Sequence, residues 1–264
     1  MPLIDDIDET KAPLLDHLME LRQRLIRSLL ALVAAFVVCF AFARDLFSIL
    51  VQPLVAAGQD RVIFTQLFEA FFVQVRVAFF GALMVAFPVI ANQLWRFVAP
   101  GLYRNEKKAL LPFLIATPFL FAVGALVAYF IAIPVALSFL LSFQGDLGGI
   151  EQQALPSVGA YLSFVMQFLF AFGLAFLLPV LLMLLERAGV LPLETLKKGR
   201  RYFIVGAFVI AAIFTPPDPG SQLLLAVPLV LLYEAALLAI RLTSGRRPAA
   251  HADPALAAGE RPAE

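Results

Sequence analysis

Cysteine and histidine are almost missing from this chain of 264 residues: it has one cysteine, Cys39, and two histidines, His17 and His251. Cys39 lies inside an apolar run, so no disulfide framework and no thiolate metal site is available, and two distant histidines do not build an imidazole site. Charge is scarce too, at 15% of residues, and the net charge of +1 gives no electrostatic footprint for nucleic acid. A GxxxxGK[ST] phosphate loop, a GxSxG elbow and an HExxH motif are all absent, which removes the common signals for nucleotide-driven, serine-dependent and zinc-dependent chemistry. The amino terminus opens with Asp5, Asp6, Asp8 and Glu9, the reverse of a basic signal-peptide n-region. No repeat of transporter type is visible along the chain.

Apolar residues supply what is there. They make up 62% of the chain, and the mean hydropathy is +0.91. One soluble core saturates well below that level. The chain therefore reads as an all-α polytopic membrane protein with candidate spans at 26–44, 70–95, 109–133, 160–185, 202–214 and 222–240. The fifth is short, about 20 Å of helix before Thr215-Pro216-Pro217, so spans five and six read as one shallow hairpin in a concave six-helix bundle. Loops are expected at 45–69 and 134–159, with turn chemistry at Gly145-Asp146 and Gly148-Gly149. Pro88 and Pro179 are expected to kink spans two and four.

Charge placement orients the bundle. Lys11, Arg22, Arg24 and Arg27 flank span one, Arg96, Arg104, Lys107 and Lys108 the 2–3 loop, and Arg187, Lys197, Lys198, Arg200 and Arg201 the 4–5 loop. Arg241, Arg246, Arg247 and Arg261 follow span six, which leaves Arg44, Arg61 and Arg76 for the other side. The positive-inside rule then puts both termini in the cytoplasm. The organisation reads as an amino-terminal cytoplasmic segment, 1–25, with an interfacial amphipathic helix; a transmembrane domain, 26–240; and a cytoplasmic, disordered tail, 241–264.

Within the first segment Leu14, Leu18, Leu21 and Leu25 form a helical apolar stripe after Pro13. Glu20 and Arg24 are an i, i+4 pair, which reads either as a weak surface pair or as a carboxylate held at the membrane for a cationic ligand. Glu106 follows Asn105 between Arg104 and Lys107, so it reads as a first-turn acid of a capped helix or as a second such carboxylate. Glu234 in span six and Gln167 in span four are intramembrane polar groups, either facing the protein interior or docking a partner helix. Asp218 is placed to cap the start of span six.

The run His17-Leu18-Met19-Glu20-Leu21-Arg22-Gln23-Arg24 resembles the amino-terminal signature of the TatC family, the receptor subunit of the twin-arginine protein translocase. The resemblance continues through Pro53, through Gln93–Tyr103 with Trp95, Phe97 and Pro100, and through Glu106. It extends to Tyr161-Leu162-Ser163-Phe164, Arg201-Tyr202, Thr215-Pro216-Pro217-Asp218 and Ser221-Gln222, and covers roughly residues 14–242. It implies a non-enzymatic receptor, without cofactor or metal, in the inner membrane. Such a receptor binds twin-arginine signal peptides, works with single-span TatA- and TatB-type partners, self-associates, and exports folded proteins on the proton motive force.

The same resemblance implies that Glu20 and Glu106, with Arg22 and Arg24, receive the two consecutive arginines. It marks Pro53, Phe97, Tyr129, Gln167, Asp218, Gln222 and Glu234 as structural or partner-docking positions. A carboxylate suits the ligand because the guanidinium fork binds it bidentately and lysine does not. One departure stands out: Leu177 occupies a position in span four where many relatives carry Glu or Gln. The competing reading from the residues is a secondary transporter of a small solute, which needs paired midplane polar groups.

Overall fold

The computed structural model describes residues 5–59, 61–102, 107–147, 150–152, 154–215 and 218–244, with side chains at 18–59, 61–97, 113–145, 154–215 and 218–243. Helices α1 (Asp5–Ala41) and α2 (Ala43–Ala56) lead into α3 (Glu69–Leu102) and α4 (Lys107–Val127). A π-helical turn, Ala128–Ala132, joins α4 to α5 (Ile133–Leu141). After a small hairpin of β1 (Gly145–Leu147) and β2 (Ile150–Gln152) come α6 (Val158–Ala175), α7 (Leu178–Arg187), α8 (Leu193–Phe214) and α9 (Pro219–Ser244). The fold is helical, and the hairpin pairs Gly145 with Gln152 and Leu147 with Ile150 at one end of the bundle.

Two expected loops contain helix. Residues 45–69 hold most of α2, and residues 134–159 hold α5 and the hairpin. Both segments carry turn-forming residues, yet their apolar stretches bury Leu50, Leu54, Ala136 and Leu137 in the main core, and that burial decides for helix over loop propensity. Conversely, the amphipathic stripe and the first apolar run are one uninterrupted helix, α1. Residues 5–41 contain no breaker after Pro13, so nothing in the chain separates the two parts.

Proline sets the other irregularities. Pro179 has no N–H and its ring crowds the carbonyl of Ala175, where α6 ends; α7 restarts with Pro179 in its first turn. Leu177, where many relatives have an acid or amide, sits in this break. Pro88 lies within α3, which runs on through it.

The core is built around α6. Phe168 and Val165 are wholly buried, and half of the α6–α7 span is covered by neighbours, against 6% of the span in α1. Close approach explains the α4–α6 seam: a Cβ on Gly173 would stand 2.5 Å from the Phe121 ring, and Phe121 stacks on Phe87 at 3.6 Å between centroids. In an apolar solvent, such packing replaces water exclusion as the force that holds helices together.

Among the described residues five helical segments are long and apolar enough to cross a bilayer: Leu18–Ala41, Glu69–Phe97, Phe113–Leu141, Val158–Arg187 and Pro219–Thr243. Helix α8 is not among them, because Lys197, Lys198, Arg200 and Arg201 crowd its first half. Its apolar half, 202–214, packs through Ala207 and Ala211 against the main core.

Candidate functional site

The two ends of the bundle carry different chemistry. Glu20 and Arg24 face one another on α1 one helical turn apart; Arg24 donates from Nε (3.0 Å) and from Nη2 to Glu20 Oε1. Arg22 is exposed on the same helix. Glu20 lies 21 residues before Ala41, roughly 30 Å of helix rise, so one bilayer thickness separates it from the α1–α2 junction. Glu106, with Tyr103, Arg104 and Asn105, lies outside the described residues. So do Pro216 and Pro217.

At this same end Arg200 reaches Glu234 at 3.0 Å, joining α8 to α9, with both side chains about half exposed. Next to it the buried Tyr233 donates to the Leu196 carbonyl (2.6 Å) and stacks on Phe203 (4.0 Å between centroids). Glu234 is thus held by its own chain. Glu194 accepts from Lys197 at 2.8 Å, and this ammonium holds its carboxyl below the usual carboxylate range. Arg187 lies over the ring of Phe113 at 5.1 Å, and Trp95 donates to Thr117 at 2.8 Å, tying α3, α4 and α7 together. Phe97 is half-buried near the end of α3.

The opposite end, where α2 sits, is cross-linked by groups remote in sequence. Pro53 has no N–H for the carbonyl four residues back, Ile49, and the Tyr129 hydroxyl fills that vacancy from the π-helical turn at 2.7 Å. Tyr161 donates to the next carbonyl, Leu50, at 2.9 Å, which ties α6 to α2. Glu69 opens α3 and ties it to α6: Oε1 accepts from Gly159 N (2.7 Å), while Oε2 accepts from the backbone of Thr65 (2.5 Å) and Gln66 (3.1 Å) and from the Thr65 hydroxyl. Asp218 Oδ1 accepts from Ser221 N at 2.7 Å at the start of α9, and Gln222 donates to the Phe208 carbonyl at 3.2 Å, closing the α8–α9 hairpin.

Gln167 is exposed on α6 in an apolar groove of about 520 Å³ between α1, α3, α6 and α8. Among the described residues no cluster of three His, Cys, Asp or Glu could hold a metal ion.

Glu69, Tyr161 and Tyr233 were not legible as junctions from sequence. An acid opening an apolar helix after Thr-Gln is a weak capping signal, and a tyrosine inside an apolar run needs an acceptor. Which acceptor it finds is a tertiary fact.

Fold and site together define a polytopic helical membrane protein with a cross-linked end and a basic, charge-paired end. The family described as Sec-independent protein translocase protein (TatC) matches residues 16–228. A Sec-independent protein translocase protein TatC of Magnetococcus marinus is 47% identical over 228 residues, covering 86% of this chain and 83% of the relative. The TatC of Aquifex aeolicus is 42% identical, covering 89% and 97%, and that of Escherichia coli 37% identical, covering 86% and 87%. A crystal structure of a twin-arginine translocase receptor, TatC, superposes with a TM-score of 0.76 at 42% identity, covering 86% of this chain and 99% of that one. The chain belongs to the TatC family.

Proposed function

We infer that this protein is the receptor and core subunit of a twin-arginine translocase, and that it exports folded proteins across the inner membrane on the proton motive force. The observation that carries the reading is the family match over 16–228 together with the likeness to a solved receptor. The small-solute transporter has nothing comparable behind it: Glu234 is half exposed and engaged by Arg200, and no acid is buried among the described residues. The protein acts without catalysis of its own, with both termini cytoplasmic and with TatA- and TatB-type partners. Six membrane-inserted helices fit the basic residues gathered at the Glu20 end; the apolar half of α8 is the short one, whereas α9, expected to be short, is long enough to cross.

The two signal-peptide arginines dock on Glu20 and Glu106. Glu20 is supported by a partly exposed carboxylate that Arg24 orients at the bundle's edge. A carboxylate accepts a guanidinium through a two-pronged contact, the geometry an arginine of the signal peptide offers. At the interface the dielectric is below that of water, which strengthens the contact. Replacing ligand Arg by Lys keeps the charge and loses the fork.

The test is site-specific crosslinking from positions 20 and 106 to a signal peptide bearing Arg-Arg or Lys-Lys. Capture of the Arg-Arg peptide, at least several-fold over Lys-Lys and lost in Glu106→Gln with membrane insertion intact, is the expected result. Equal capture in Glu106→Gln and Glu106→Ala removes Glu106 from the site.

A further inference from the structure

Arg76 is an exposed cation one and a half to two turns into the α3 span, with no ion-pair partner among the described residues. An ionised group at that depth needs a counter-charge. Its nearest acid in sequence on the same helix, Glu69, is turned to the backbone of Thr65, Gln66 and Gly159 and forms no ion pair with it, although its negative charge remains in the same polar cavity. Arg76 also lies where two cavities meet. One, of about 270 Å³, is polar, lined by Glu69, Arg76, Ser157, Gly159 and Ser163. The other is the 520 Å³ groove, whose walls are Phe36, Phe79, Phe80, Leu83, Phe170 and Phe214.

We propose that Arg76 and these two cavities bind one glycerophospholipid with a primary-ammonium headgroup: phosphate on Arg76, ammonium toward Glu69, one acyl chain in the groove. The polar-above-apolar order matches a lipid's own, and Gln167 supplies an amide in the groove at a similar depth, roughly 10–14 Å along its helix. A basic pocket between membrane helices is a headgroup site by charge complementarity, and the arginine fork fits a phosphate bidentately. Glu69 decides the headgroup: its carboxylate in the polar cavity opposes a net-anionic lipid and favours a zwitterionic one. A lipid is favoured over a wholly apolar partner helix because Arg76 and the polar cavity stand directly above the groove, and such a helix brings no anionic group for the guanidinium.

The experiment is native mass spectrometry of the full chain from nanodiscs holding equal parts phosphatidylethanolamine, phosphatidylcholine and phosphatidylglycerol, for wild type, Arg76→Gln and Arg76→Lys. Wild type should retain one phosphatidylethanolamine, Arg76→Gln should lose it by about tenfold, and Arg76→Lys should recover part of it. Circular dichroism and elution volume, unchanged in the variants, separate lipid loss from misfolding. Retention that ignores Arg76, or that favours phosphatidylglycerol or phosphatidylcholine, overturns the proposal. So does a photo-crosslinker at Phe79 that captures polypeptide and no lipid in native membranes.

Discussion

The α2 end and the basic end solve the same problem, holding helices at a membrane boundary, with opposite means. At the α2 end the ties bridge distant segments: Tyr129 to Ile49, Tyr161 to Leu50, Glu69 to Gly159, and the Gln59 amide to the Ala154 carbonyl. At the basic end two ties are local, Glu20 with Arg24 and Glu194 with Lys197; of the longer ones, Arg200 with Glu234 is half exposed, while Tyr233 with Leu196 is buried. Buried hydrogen bonds between remote segments fix geometry, because an orphaned carbonyl there has no water to turn to. Exposed ion pairs are worth little and re-form with other partners. The contrast teaches that the α2 end is tied by neutral and carboxylate–backbone hydrogen bonds between remote segments, while the basic end adds half-exposed ion pairs to its one buried hydroxyl tie.

Substitutions can break that contrast. Tyr161→Phe removes the donor to Leu50 at a site only 4% exposed, and should cost the most, about 1–3 kcal/mol in detergent unfolding followed by circular dichroism. Tyr129→Phe should cost about 1 kcal/mol, because its hydroxyl lies closer to the surface. A double-mutant cycle sharpens this case: Pro53→Ala returns an N–H to Ile49, so Tyr129→Phe should cost less in that background. Additive losses would show that the hydroxyl does not stand in for the missing proline donor.

Glu234→Gln at the other end should cost less than about 1 kcal/mol, since Arg200 and Glu234 are both half exposed. A loss as large as that of Tyr161→Phe would abolish the distinction between the ends. The smallest effect belongs to Glu194. Its carboxyl is held below the ordinary range by Lys197, so the pair's contribution is present above the unfolded value and fades as pH falls through the lowered folded one. Lys197→Met should return the carboxyl upward in an NMR titration, with stability near neutrality almost unchanged.

Much of the architecture could be read from residue pattern. The long apolar runs located the main helices, and the motifs from His17 to Gln222 pointed to the family. The segments at 45–69 and 134–159 read as loops, because turn residues dominate a local reading, whereas burial against α6 makes α2 and α5 helical. Glu234 read as an intramembrane acid either facing the protein interior or docking a partner helix, and the structure gives it Arg200, thirty-four residues earlier on another helix.

The sequence alone determined that the chain is a helical membrane protein of the TatC family, since hydropathy and ordered motifs are properties of neighbouring residues. Tertiary structure decided which hydroxyl answers the carbonyl that Pro53 strands, which amide Glu69 clamps, and that Arg76 stands between a polar and an apolar cavity with no ion-pair partner among the described residues. Those outcomes depend on groups 80 to 111 residues apart meeting within hydrogen-bond distance. No local pattern encodes such a meeting, because hydrogen bonding in an apolar medium is settled by whichever donor the packed helices bring near.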